Sequence, residues 1–78
     1  MKYVYILTSQ QGEHFYVSVT DDLKSRLKRH NAGEVPHTSK YRPWILKSYI
    51  AFSDIDQAFA FEKYLKSHSG RTFAKKRL

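Results

Sequence analysis

The sequence predicts an α+β domain with its elements in the order ββαβαα, and three observations carry that reading. Two short runs rich in Tyr, Val and Ile open the chain and are joined by Gln10-Gln11-Gly12-Glu13. A longer apolar run, Trp44 to Phe52, stands alone in the middle. Helical periodicity precedes it around residues 21–31 and follows it around 54–68, with Gly33, Pro36, Pro43 and Gly70 as punctuation.

Residues 2–8 form the first strand and residues 14–19 the returning one. A two-residue Gln11-Gly12 turn sets Tyr16 opposite Leu7 and diagonal to Tyr5, so both tyrosines share a face. Thr20 is the expected N-cap of the first helix, with Asp21 and Asp22 in its first turn, where carboxylates suit the helix dipole. The helix runs to about Asn31 and stops at Gly33. Leu23 and Leu27 make its apolar stripe, flanked by Arg26 and His30.

Residues 33–43 read as loop. Trp44 to Phe52 is the third strand, expected at the centre of the sheet because it is long and largely apolar. Ser53 with Asp56 resembles a capping box opening a second helix over about residues 54–68. At about 100° per residue, Ile55, Ala58, Phe59, Phe61 and Leu65 share one arc, and Glu62 falls inside it. A short basic helix, Arg71 to Leu78, closes the chain after Gly70.

The 78 residues make one small domain, residues 1–78, and cysteine is absent, so neither a disulfide nor a thiolate zinc site stabilises it. Six Tyr, five Phe and one Trp supply bulky core filling instead. No apolar run is long enough to span a membrane, and the N-terminus lacks the form of a signal peptide. A soluble, cytoplasmic protein is expected. Fourteen Lys and Arg against seven Asp and Glu give a net charge of +7, which favours a polyanionic partner, nucleic acid above all.

Several side chains carry candidate chemistry. Tyr5 and Tyr16 are strand filler on the bland reading; a desolvated phenol beside a cation can instead orient or deprotonate water, and Tyr3 and Tyr49 compete for that role. Arg26 can hold a phosphate bidentately, and His30, one helical turn on, can pass a proton near neutral pH. On the bland reading they belong to a solvated basic face with Lys24, Lys28 and Arg29. Glu62 is either half of a buried ion pair with Arg26 or Lys66, or a single-carboxylate site for a hard divalent cation. Lys40, Tyr41, Arg42 and Trp44 interleave charge with aromatic surface, as nucleic-acid contacts do, with Trp44 expected in the core. His14, His37 and His68 read as surface residues.

Taken in order, these segments resemble the GIY-YIG nuclease superfamily, especially its small stand-alone bacterial branch. Tyr3-Val4-Tyr5-Ile6-Leu7 stands at the first motif and Phe15-Tyr16-Val17-Ser18-Val19-Thr20 at the second. Asp22 to Asn31 resembles the family helix, with its arginine at Arg26 and its histidine at His30. Arg42-Pro43-Trp44 and Glu62-Lys63-Tyr64-Leu65-Lys66-Ser67 match this branch as well. The resemblance implies a small three-stranded antiparallel sheet flanked by helices and a metal-dependent endonuclease cutting DNA (RNA being the other substrate), selective for structure rather than sequence, with a role in repair or recombination.

It also implies roles. Tyr5, helped by His30, activates water; Tyr16 assists the proton network; Arg26 stabilises the transition state; Glu62 holds magnesium or manganese. Lys24, Lys28, Arg29, Lys40, Arg42 and Lys66 are the expected nucleic-acid contacts. Ser18 stands where the second motif usually has glycine and Val19 where some relatives have lysine. A nucleic-acid-binding module with weakened catalysis is therefore the alternative.

Overall fold

The computed structural model describes residues 1–78 and places three strands in one antiparallel sheet. They are β1 (Lys2–Ser9), β2 (Phe15–Thr20) and β3 (Trp44–Phe52), in the order β2-β1-β3. Three helices flank the sheet: α1 (Leu23–Asn31), α2 (Ile55–Leu65) and α3 (His68–Arg77), and a 3-10 turn at Ser39–Tyr41 interrupts the long loop.

The central strand is β1, not β3. Val4-Tyr5-Ile6-Leu7 are four successive buried residues, the mark of a strand covered on both faces. In β3 burial alternates along the strand, as expected of an edge. The hairpin register is the one its turn implies, with Leu7 opposite Tyr16 and Tyr5 opposite Ser18. Gly12 supplies the left-handed residue of that turn, at φ 76°.

Strand alternation divides the core into two layers. Val4 and Ile6 point to the face covered by α2 and α3, where Ala58 and Leu65 are buried and Phe61, Phe73 and Leu78 pack around them. Tyr5, Leu7 and Trp44 point to the other face, against Leu23 and Leu27 of α1. Each fully buried Leu or Val contributes roughly 1.5–3 kcal/mol.

Helix boundaries differ from the sequence reading for local reasons. Asp22, not Thr20, caps α1: its Oδ1 accepts the Ser25 N–H at 3.1 Å, while Thr20 Oγ1 accepts the Asp22 N–H at 3.1 Å one step earlier. Asp54, not Ser53, caps α2, accepting from the N–H groups of Asp56 and Gln57 at 2.8 and 3.3 Å. In both places nearby capping residues compete, and the carboxylate wins.

The second helix ends at Leu65 rather than near 68, and α3 starts at His68 rather than after Gly70. Ser67 caps α3 by accepting the Gly70 N–H at 3.1 Å. Gly70 is thus a buried helical residue, and its task is close approach: a Cβ there would sit 1.8 Å from the Tyr64 carbonyl oxygen. The arc of α2 is also narrower than its apolar residues suggest. Ala58, Phe61 and Leu65 face inward, whereas Ile55 and Phe59 are about half exposed.

Candidate active site

Tyr5 reaches from the middle of β1 to the last turn of α1. Its hydroxyl lies 3.0 Å from His30 Nε2, and both side chains are essentially closed to solvent. The other ring nitrogen, Nδ1, lies 2.7 Å from Thr38 Oγ1, and that hydroxyl donates to the Val35 carbonyl at 3.3 Å. When the Thr38 proton is directed at the Val35 carbonyl, which can only accept, the rest of the chain takes one direction. Thr38 gives its proton to Val35, His30 Nδ1–H donates to Thr38, and Nε2 is the lone-pair nitrogen that accepts from the Tyr5 hydroxyl.

Burial holds the His30 pKa below the usual imidazole range, and the charges of Arg26 and Arg29 push it the same way. Neutral His30 is therefore the resting form near neutral pH. Burial likewise raises the Tyr5 pKa; the Ser18 hydroxyl and Arg26 act against that rise, and Tyr16 and Glu62 add to it. Tyr5 rests as a neutral phenol with a base in contact.

The loop after α1 is held so that Thr38 meets His30. Trp44 is buried, and its indole N–H donates to the Thr38 carbonyl at 2.7 Å. Asn31 clamps the Trp44 backbone from α1, accepting the Trp44 N–H at 2.6 Å and donating to its carbonyl at 3.1 Å. Gly33, at φ 78°, lets the Arg42 side chain lie against the turn after α1. Thr38 and Asn31 had no signal in the sequence beyond ordinary turn and helix-end composition. Trp44 is a core residue, as expected, and also a strut.

Around this chain stand the other residues singled out from sequence. Tyr16 is half-buried and sets its ring edgewise to His30 at 5.1 Å. Arg26 is half-buried on α1, and no carboxylate pairs with it: the chain's ion pairs are Lys2–Asp21, Arg29–Glu34 and Lys66–Glu62. Glu62, 18% exposed, takes Lys66 as partner at 3.2 Å, one of the two partners considered for it, rather than Arg26. It is close enough for its charge to be felt at Tyr5. Ser18 sits in regular extended backbone, since no residue other than glycine has positive φ. Nothing in the backbone here demands glycine.

Lys24, Lys28 and Arg29 are exposed on α1, and Lys40 and Arg42 are exposed in the following loop. Arg29 leans on Glu34 at 3.7 Å and Lys66 on Glu62, so these two are less free than the rest. Tyr3 and Tyr49 share the sheet face of Tyr5 but meet each other edge-on at 5.9 Å, and neither touches His30. His14 stacks on Tyr41 at 3.7 Å, while His37 and His68 are exposed.

No three His, Cys, Asp or Glu side chains gather at metal-ligand spacing. A closed protein cage for a cation is thus absent. A single carboxylate completed by water and phosphate oxygens is a donor set that magnesium accepts, and Glu62, partly exposed and near enough for its charge to reach Tyr5, fits that mode. No helix is long and apolar enough to cross a membrane.

Comparison with known proteins agrees with the fold and the motif order. Residues 1–77 match the model of the GIY-YIG catalytic domain. A UPF0213 protein of Lacticaseibacillus paracasei is 37% identical over 65 residues, covering 82% of this chain and 72% of the relative. The solution NMR structure of the UPF0213 protein of Bacillus halodurans matches 96% of this chain and 81% of its own length, at 31% identity and a TM-score of 0.57. With the three-stranded sheet and the two tyrosine motifs in place, the chain belongs to the GIY-YIG family, in the branch of its small UPF0213 proteins.

Proposed function

We propose that this protein is a divalent-metal-dependent endonuclease that hydrolyses phosphodiester bonds in DNA, choosing its substrate by structure rather than sequence and acting in repair or recombination. The observation that carries the reading is the directed chain from Tyr5 through His30 and Thr38 to Val35, beside an arginine with no carboxylate partner. GIY-YIG catalytic domains are usually those of endonucleases, which sets the reaction class in which such a chain is useful.

On the attacking side the proton path runs through two side chains, and solvent water completes the balance. As water attacks the phosphorus, its proton passes to the Tyr5 oxygen and the Tyr5 proton passes to His30 Nε2. The imidazolium keeps its Nδ1–H bond to Thr38. Burial and the charges of Arg26 and Arg29 make that cation costly, so after bond cleavage His30 passes the proton back through Tyr5 to solvent, while the departing alkoxide on the far side of the phosphorus takes its proton from water. Arg26 is placed to bind two phosphate oxygens and to stabilise the charge they gain in the transition state.

Tyr16, edge-on to His30, borders the path and orients the water. Glu62 would hold the magnesium or manganese ion, which supplies Lewis-acid stabilisation of the phosphate and leaving oxygen. Lys66 must then yield its contact with Glu62 and turn to the nucleic acid, joining Lys24, Lys28, Arg29, Lys40 and Arg42.

Tyr5 is only 1% exposed, and Ser18 is the side chain directly opposite it on β2. That geometry favours a second reading, a nucleic-acid-binding module in which Ser18 restricts access to the phenol. The two are separated by assaying duplex, single-stranded, flapped and branched DNA, with RNA counterparts, in magnesium or manganese. Wild type, Glu62→Ala and Ser18→Gly are run together. Cutting by wild type that disappears in Glu62→Ala supports the nuclease. Salt-sensitive binding without cutting, with activity gained by Ser18→Gly, supports the binding module.

A further inference from the structure

The sheet face covered by α2 and α3 is not covered to its end. A groove of about 510 Å³ lies open there between β2 and the start of α3. Its floor is apolar, from Ile6, Phe15, Val17 and Leu65. Its rim is cationic, from Lys47, Lys66, Arg71 and Lys75, and no carboxylate lines it. Phe15, at the mouth of this layer, is 49% exposed.

Lys47 is aimed into this region by the backbone. The β1–β3 ladder pairs Ile6 with Ser48 but Leu7 with Leu46, so Lys47 is the extra residue of a bulge. Regular alternation would send its side chain to the face of Leu7; the bulge turns it instead. Its Nζ lies 5.6 Å from the centre of the Phe15 ring, having reached across β1. A cation over an exposed aromatic, with three further cations around an apolar floor, is the pairing that binds a base and its phosphates.

The groove opens on the opposite sheet face from Tyr5 and His30, and the two sites adjoin at the β2 edge: Tyr16, whose ring faces His30, lies in the strand that borders the groove, and Lys66, which touches Glu62, forms part of its rim. A duplex is too wide for a recess of this size, whereas one unpaired strand fits it. Resting on the nuclease reading above, we infer that this groove takes a single-stranded segment of the nucleic acid. One base packs on Phe15, and its phosphates meet Lys47, Arg71 and Lys75. The favoured substrate then carries an unpaired strand beside the cut.

The test uses the full chain in EDTA, so that binding is read without turnover. Phe15→Trp places a fluorophore in the groove, where the native Trp44 is buried and silent to solvent. Short oligo-dT is expected to quench that fluorophore, and an abasic strand of equal length is expected to bind about tenfold more weakly without quenching. Arg71→Ala with Lys75→Ala should lower the salt slope of oligo-dT binding by about 1.4, since each phosphate of a single strand that is no longer neutralised removes about 0.7. Melting followed by circular dichroism checks that the variants, all at exposed positions, remain folded.

Equal binding of oligo-dT and abasic strand without quenching overturns the inference. So does unchanged affinity in the double variant, or quenching by an acidic peptide and not by oligo-dT. The two readings fail separately. A protein that binds oligo-dT in the groove but cuts nothing keeps the groove and loses the nuclease. One that cuts flapped and fully paired branched DNA alike, with and without Arg71 and Lys75, keeps the nuclease and loses the groove.

Discussion

The Tyr5 hydroxyl and the Nε2 of His30 lie 3.0 Å apart although 25 residues separate them, and neither group has solvent to fall back on. Each therefore depends on the other for its hydrogen bond, and Thr38 fixes which of them holds the proton. The pair couples the central strand to the end of α1. The residues proposed for chemistry are thus also part of what holds α1 to the sheet.

A pH dependence follows from the depressed pKa of His30. The unfolded chain takes up a proton as pH falls through about 6.5, before the folded protein does. Stability is then fully present above about 6.5 and declines as pH falls through the lower folded value. Urea midpoints measured from neutral to acidic pH should show this loss, and His30→Gln should flatten it. Any acid limb in cleavage rate from the same group lies below about 6.5.

Thr38→Val removes the acceptor for His30 Nδ1–H inside the protein. An unsatisfied buried donor costs about 1–3 kcal/mol, and each kcal/mol lowers the melting temperature of a domain this size by roughly 4–8 °C. Thr38→Ser should restore most of the loss, because the hydroxyl is what His30 uses. Thermal melts of the three proteins decide it.

Arg26→Ala should reduce cleavage by about 10²–10³, the size of effect seen when one transition-state donor is removed. It also removes a charge that depresses His30. The acid limb of the remaining activity should therefore move to higher pH. A pH–rate profile reads both effects, and a purely structural role for Arg26 would leave the limb in place.

Gly70→Ala should be strongly destabilising even though alanine is the better helix former. The added methyl collides with the Tyr64 carbonyl, which is backbone and cannot rotate away. Overpacking of this kind costs typically about 1–3 kcal/mol. Denaturant unfolding measures it; a stabilised variant would mean that α2 and α3 can separate without loss.

The sequence revealed what periodicity and turn chemistry control. The Leu7–Tyr16 register follows from a short Gly-containing turn, and α1 with Arg26 and His30 follows from the Leu23–Leu27 stripe. What it concealed depends on competition or on long-range packing. Val4 to Leu7 is as apolar as β3, and only the layers on both faces make β1 central. Asp22 and Asp54 outcompete nearby hydroxyls as caps. Gly70 reads as a break but serves a helix crossing. Thr38, Asn31 and the aim of Lys47 come from a loop fold and a bulge, which leave no periodic trace.

The most direct test of the central claim is single-turnover cleavage of branched and flapped DNA in magnesium or manganese, with the bound fraction measured in parallel. Wild type, Tyr5→Phe and Glu62→Gln are compared. A nuclease site built on Tyr5 and Glu62 predicts that both variants bind as wild type does and cut at least about 10²-fold more slowly, since each lacks one positioned group. Cutting by either variant at the wild-type rate, or no cutting of any DNA by wild type, would contradict it.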